Sequence, residues 1–115
     1  MPLTTRITCQ NVELSPSEDA YARRLFSSLD RRLQRFPDPL LEATISPSGA
    51  PLQYDVDLRL RLEPHGRHLI SHETAETVNL AMKLAVHEVK RQVIRQVAKQ
   101  SGEPSFGVPS RRLPP

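Results

Sequence analysis

The sequence predicts an α+β fold, a two-layer sandwich in which a four-stranded sheet carries both of two helices on one face. Three observations lead there. Residues 54–63 alternate strictly between apolar and polar side chains, the period of a strand with one buried and one wet face. Two longer stretches, reaching to about residues 36 and 100, instead repeat apolar residues every three or four positions, as amphipathic helices do. A chain of 115 residues without Trp has room for one modest core rather than a deep ligand pocket.

Taken in order, residues 5–14 open with loose alternation. Ile7 and Cys9 share one face and Arg6, Thr8 and Gln10 the other, which predicts a strand with Cys9 as a small buried hydrophobe. Ser15-Pro16-Ser17-Glu18-Asp19 is a helix start. Serine caps free backbone N–H groups, proline fits the first turn, and the acids complement the positive end of the helix dipole. Tyr21, Ala22, Leu25, Leu29, Leu33 and Phe36 then form one stripe, until Pro37 and Pro39 end the helix. A short strand follows at 41–46 and a turn cluster at 47–51. The 54–63 strand leads through a predicted hairpin turn, Pro64-His65-Gly66-Arg67, into a fourth strand that opens with 68–71. Thr74 or Thr77 caps a second helix whose stripe is Val78, Met82, Ala85, Val86, Val89 and Val93. The element order is β-α-β-β-β-α. Residues 1–100 form one domain, and 101–115, rich in Gly, Pro and Ser, are expected to be a disordered tail.

Composition excludes several classes. One cysteine cannot form an internal disulfide, and no apolar run approaches membrane-spanning length, so the expected setting is the cytoplasm. Cys9, His65, His68 and His72 have no recognised metal-ligand spacing. No Gly-rich phosphate loop and no Ser-His-Asp arrangement occurs, and nothing suggests a cleft around Asp55 and Asp57. The expectation is a non-enzyme with no cofactor, no metal, no small-molecule substrate and no membrane partner.

The charge balance is basic, +3 with a pI near 9.5. Of the 16 positive residues, 13 are Arg, whose planar fork matches phosphate. Genome composition alone can enrich Arg, so placement decides. At about 100° per residue, Arg24, Arg31 and Arg35 fall within roughly 40° of one another, away from the apolar stripe. Arg32 lies at the border and Arg23 elsewhere. In the second helix Lys83, His87, Lys90 and Arg91 gather opposite the core face, with Glu88 and Arg95 to one side. A charged outer helix face is ordinarily just solvated. Here both helices carry a basic stripe nearly free of acid. Clustered cations repel one another, whereas a polyanion would gain from them through released counterions, which points to nucleic acid. Arg59 and Arg61 share a strand face with Asp55, Asp57 and Glu63, where cross-strand ion pairing is the expectation.

Ile7-Thr8-Cys9-Gln10-Asn11-Val12-Glu13-Leu14-Ser15 resembles the opening strand of the ribosome hibernation-promoting factors, also known as ribosome-associated translation inhibitors. Asp30, Leu33 and Phe36 are similar to the finish of that family's first helix, and residues 86–93, with Arg91-Gln92-Val93, are similar to its closing helix. The likeness runs from about Arg6 to Lys99. It implies the fold read above, double-stranded-RNA-binding-domain-like with an added strand. It also implies binding to small-subunit ribosomal RNA in the channel for mRNA and tRNA, silencing ribosomes under stress or in stationary phase, by a protein monomeric off the ribosome. By position, Lys90, Arg91, Arg95 and Lys99 match basic sites of the closing helix, and Arg23, Arg24 and Arg31 those of the first. With Arg35, Lys83 and His87 from the helical faces, these make up the expected RNA-binding set. Two departures stand out: Asn79 replaces a usual aromatic and Lys83 a usual aspartate. The sequence stops soon after the closing helix, so the likeness is to short members without a C-terminal dimerisation domain. A regulatory protein-interaction module of the same fold, without ribosome binding, is the alternative, and a general double-stranded-RNA binder a third.

Overall fold

The computed structural model describes residues 3–62 and 67–100. The order is β1 (Thr4–Cys9), α1 (Pro16–Asp30), a 3-10 turn (Arg31–Leu33), β2 (Leu40–Pro47), β3 (Tyr54–Leu62), β4 (Arg67–Ala75) and α2 (Val78–Gln100). The strands form one sheet in the order β1-β2-β3-β4. β1 and β2 are parallel, as a strand-helix-strand crossover requires, and the other neighbours are antiparallel.

Alternation sorts the sheet into two faces. Leu41, Ala43 and Ile45 on β2 and Val56, Leu58, Leu60 and Leu62 on β3 are buried, and they meet Ala22, Phe26, Leu29 and Leu33 from the first helical segment. Val78, Met82, Ala85, Val86, Val89 and Val93 of α2 complete the core, all buried as the stripe predicts. Each of the Val, Leu, Ile, Met and Phe side chains among them contributes about 1.5–3 kcal/mol by leaving water.

Local signals set the helix starts. Ser15 and Glu18 form a reciprocal capping box: Ser15 Oγ accepts from the Glu18 N–H at 3.2 Å, and Glu18 Oε1 accepts from the Ser15 N–H at 2.8 Å. Of the two candidate caps for α2, Thr77 holds the position, its Oγ1 accepting from the Leu80 N–H at 3.0 Å. Asn11 sits at φ 59°, where asparagine is tolerated better than most residues, and turns the chain from β1 toward α1.

Three expectations need correction. The first helix does not run as α-helix to Phe36. It ends at Asp30 and tightens into the 3-10 turn. Pro37 has no N–H to give the Leu33 carbonyl, which accepts from the Phe36 N–H at 3.0 Å instead. Cys9 is exposed rather than buried. Its register opposite buried Ile45 is that of the core face, but it ends an edge strand where the covering layer has run out. Phe26, absent from the predicted stripe, is buried, while Leu25 is only partly so. The 64–67 turn lies largely outside the described residues, as does the 101–115 tail. Among the described residues, no helix is long and apolar enough to cross a membrane.

Candidate nucleic-acid interface

α1 and α2 pack side by side on the sheet, and a groove of about 950 Å³ runs between the end of the first helical segment and the C-terminal half of α2. Its rim carries Arg24, Arg31, Arg32 and Arg35 from one side and Lys90 from the other. Its floor is apolar: Val93 and half-buried Val97, with Ile94 at 46 % exposure. Ser27, Ser28 and Gln34 add neutral polar groups. No carboxylate lines it, and none of the five cations enters an ion pair among the described residues.

The predicted residues divide into three groups. Arg24, Arg31, Arg35 and Lys90 converge on the groove. Lys83 and His87 are exposed on α2 and are not among the groove's lining residues. Lys83 lies about two turns before Lys90 on the same side of the helix. Arg23, Arg91 and Arg95 are engaged elsewhere. Arg23 donates from Nε to Asp19 at 3.0 Å on the other flank of α1. Arg91 pairs with Glu88 at 2.8 Å, and Arg95 reaches the same carboxylate at 4.0 Å. Gln92, Arg91 and Arg95 together hold the Glu88 carboxyl below its ordinary range. The Lys99 side chain lies outside the described residues.

Arg32 was missed as a site residue. At about 100° per residue it falls at the border between the apolar and basic stripes, and the groove opens along that border, lined there by Ser28 and Arg32. Arg31 and Arg32 also sit where helix carbonyls end, so the negative pole of α1 favours their charge. Gln92, at the centre of the Arg-Gln-Val segment, faces the sheet: its Nε2 donates to the Ile70 carbonyl at 3.0 Å and to Glu88 Oε2 at 3.2 Å. It docks α2 over β4 and leaves Lys90 turned to the groove.

The ion pairs expected of Arg59 and Arg61 do not form among the described residues. Asp57 contacts His72, Asp55 accepts from the Thr74 hydroxyl, and Glu42 is taken by Arg6 at 3.3 Å. The register explains this. Glu42 lies between Arg6 and Arg59 and goes to the former, while Arg61 faces Leu40 and His68. Glu63 lies outside the described residues.

A cation rim over an apolar floor can hold a polyanion by phosphate contacts and pack its sugars or bases below. Among the described residues, the groove offers no carboxylate, histidine or thiol for acid–base or nucleophilic work. No cluster of three or more potential ligands for a metal ion occurs among the described residues.

Two solved structures share the fold. The Thermus thermophilus Protein Y N-terminal domain is similar at 21 % identity and a TM-score of 0.66, over 84 % of this chain and 99 % of that one. A ribosomal subunit interface protein from Coxiella burnetii is similar at 15 % identity and a TM-score of 0.66, over 83 % of this chain and 98 % of that one. No curated protein matches the chain. The family model described as sigma 54 modulation protein / S30EA ribosomal protein matches residues 5–101, so the chain belongs to that family, the hibernation-promoting factors that its opening strand and closing helix resemble.

Proposed function

We propose that this protein is a ribosome-associated translation inhibitor that seats its basic groove on small-subunit ribosomal RNA, in the channel otherwise used by mRNA and tRNA, during stress or stationary phase. The observation that carries the reading is the groove itself: five cations around one apolar floor, none neutralised by a carboxylate among the described residues. Folding gains little from such a cluster, whereas a polyphosphate surface releases counterions on meeting it. Family membership and the ribosomal subunit interface protein among the similar structures make the ribosome the natural polyanion.

The test is co-sedimentation with small subunits across a KCl series. Five phosphate contacts imply a loss of affinity on the order of several-hundred-fold between 50 and 200 mM salt. Arg31→Glu, Arg35→Glu and Lys90→Glu together should release the protein at every salt concentration. A wild-type protein that never accompanies ribosomes from starved cells would refute the assignment.

A second reading has one observation in its favour. Leu80 and Leu84, one turn apart on α2, are 45 % and 41 % exposed. They would suit a protein-interaction module that keeps the fold without ribosome binding. A single protein partner, retained after RNase treatment and lost in Leu80→Ser with Leu84→Ser, would support it.

A further inference from the structure

The outer face of the sheet, away from both helices, is divided by charge. The strand register lays it out in rows. One row runs Arg6, Glu42, Arg59, Ile70, and the next Leu40, Arg61, His68. Toward the other end lie Thr44, Asp57, His72 and then Ser46, Asp55, Thr74. Among the described residues, one half of the face thus holds three arginines and a single carboxylate, already bonded to Arg6. The other half holds two aspartates engaged with His72 and Thr74.

Arg59 and Arg61 are therefore left exposed, side by side on one strand, with no ion pair among the described residues. Alternate residues of a strand stand about 7 Å apart. That separation is comparable to the spacing of successive phosphates along a nucleic-acid strand. We infer that Arg59 and Arg61, with His68 beside them, form a second RNA-phosphate contact on the layer opposite the groove, so that RNA grips the domain from both sides. The inference rests on the ribosomal reading and adds a partner surface to it. Asp55 and Asp57 repel phosphate from the far half and give the contact a direction across the sheet.

A second copy of the chain is the competing occupant, because a two-fold axis could set each arginine pair against the other copy's aspartates. Ile70, at 54 % exposure, is the one large apolar side chain exposed on this face among the described residues. That is too little apolar surface for a stable dimer interface, whereas a phosphate contact needs none.

The experiment measures equilibrium binding of the full chain to purified small subunits over a KCl series. It compares wild type, Arg59→Gln with Arg61→Gln, Arg59→Lys with Arg61→Lys, and the groove triple variant. The glutamine pair should weaken binding by about tenfold or more and lower the salt slope by about 1–2, while the lysine pair keeps the slope. Thermal melts of both pairs should match wild type. If the glutamine pair binds with wild-type affinity and slope while the groove variant is released, the second contact is wrong and the ribosomal reading stands. If wild type itself does not bind, both fall. If sedimentation equilibrium of the protein alone shows a dimer that the glutamine pair abolishes, the face joins two copies and the proposal is overturned.

Discussion

At the scale of single residues, charge outcomes follow from what stands next in register. His72 on β4 lies opposite Asp57 and near Asp55 and Glu73, and its pKa is raised above 6.5, chiefly by the hydrogen bond to Asp57; desolvation opposes this, and the charges of Asp57, Asp55 and Glu73 each add a smaller upward push. A group raised on folding binds its proton more tightly in the native state. Its stabilisation is therefore fully present below the unfolded pKa and is lost as pH climbs through the folded value. His72→Gln should thus cost stability at pH 6 and little at pH 8.5, read from urea midpoints at both. The side chain is 55 % exposed, so solvent screening keeps the effect below about 1 kcal/mol. A difference between wild type and variant that is equal at the two pH values would show that the pair adds nothing. Leu52 is the opposite kind of residue: 88 % exposed at φ 59°, it holds a left-handed position in the β2–β3 turn with no burial in return.

At the scale of elements, α2 joins the core and the interface. Its buried stripe was legible from residue spacing, because a long helix against one sheet keeps a single period. Ser71, at a core position of β4, donates to the Ala85 carbonyl at 2.9 Å, and Gln92 clamps the same helix to Ile70 further along. Neither bond was legible, since a polar residue in an amphipathic pattern does not announce which carbonyl it will meet across 14 or 22 residues. The end of α1 was misread for a local reason. The apolar spacing continues to Phe36, while the absent N–H of Pro37 changes the helix type before the apolar residues run out. Arg32 was overlooked because the groove opens along the border between the apolar and basic stripes rather than over the basic stripe alone. Spacing puts Arg91 opposite the core face of α2 and Arg95 to one side with Glu88, but ion pairing depends on side-chain reach, and Glu88 lies within reach of both. The start of α2 carries a testable weakness. Asn79 Oδ1 is buried without a protein hydrogen-bond partner, at one of the two positions where the sequence departs from the pattern the family resemblance implies. An unsatisfied buried polar atom costs about 1–3 kcal/mol, less if water reaches it. Asn79→Leu, similar in size, should raise the unfolding free energy by about 1 kcal/mol without altering ribosome binding. A loss of stability would mean that the carboxamide is satisfied by solvent.

At the scale of the whole molecule, the layers separate cohesion from charge. Apolar side chains are shared between sheet and helices, whereas Arg24, Arg31, Arg32, Arg35 and Lys90 crowd one groove without carboxylate partners among the described residues. Crowded like charges destabilise by amounts on the order of the 0.2–0.5 kcal/mol per pair known for charges one helical turn apart, and salt screens the repulsion. Arg31 and Arg32 recover part of this at the carboxyl end of α1, so the net cost falls mainly on Arg24, Arg35 and Lys90. Replacing those three by Gln should therefore raise the unfolding free energy by about 1 kcal/mol at low ionic strength while weakening ribosome binding. Wild type should gain more stability than the variant when salt is raised from 20 to 200 mM, because only wild type has much repulsion to screen. Parallel urea titrations at the two ionic strengths check both statements. Groove cations selected for a polyanion should leave the free protein strained in this way. A variant less stable than wild type at low salt would instead mean that these side chains hold the fold together, and the groove would lose its claim to be a binding surface.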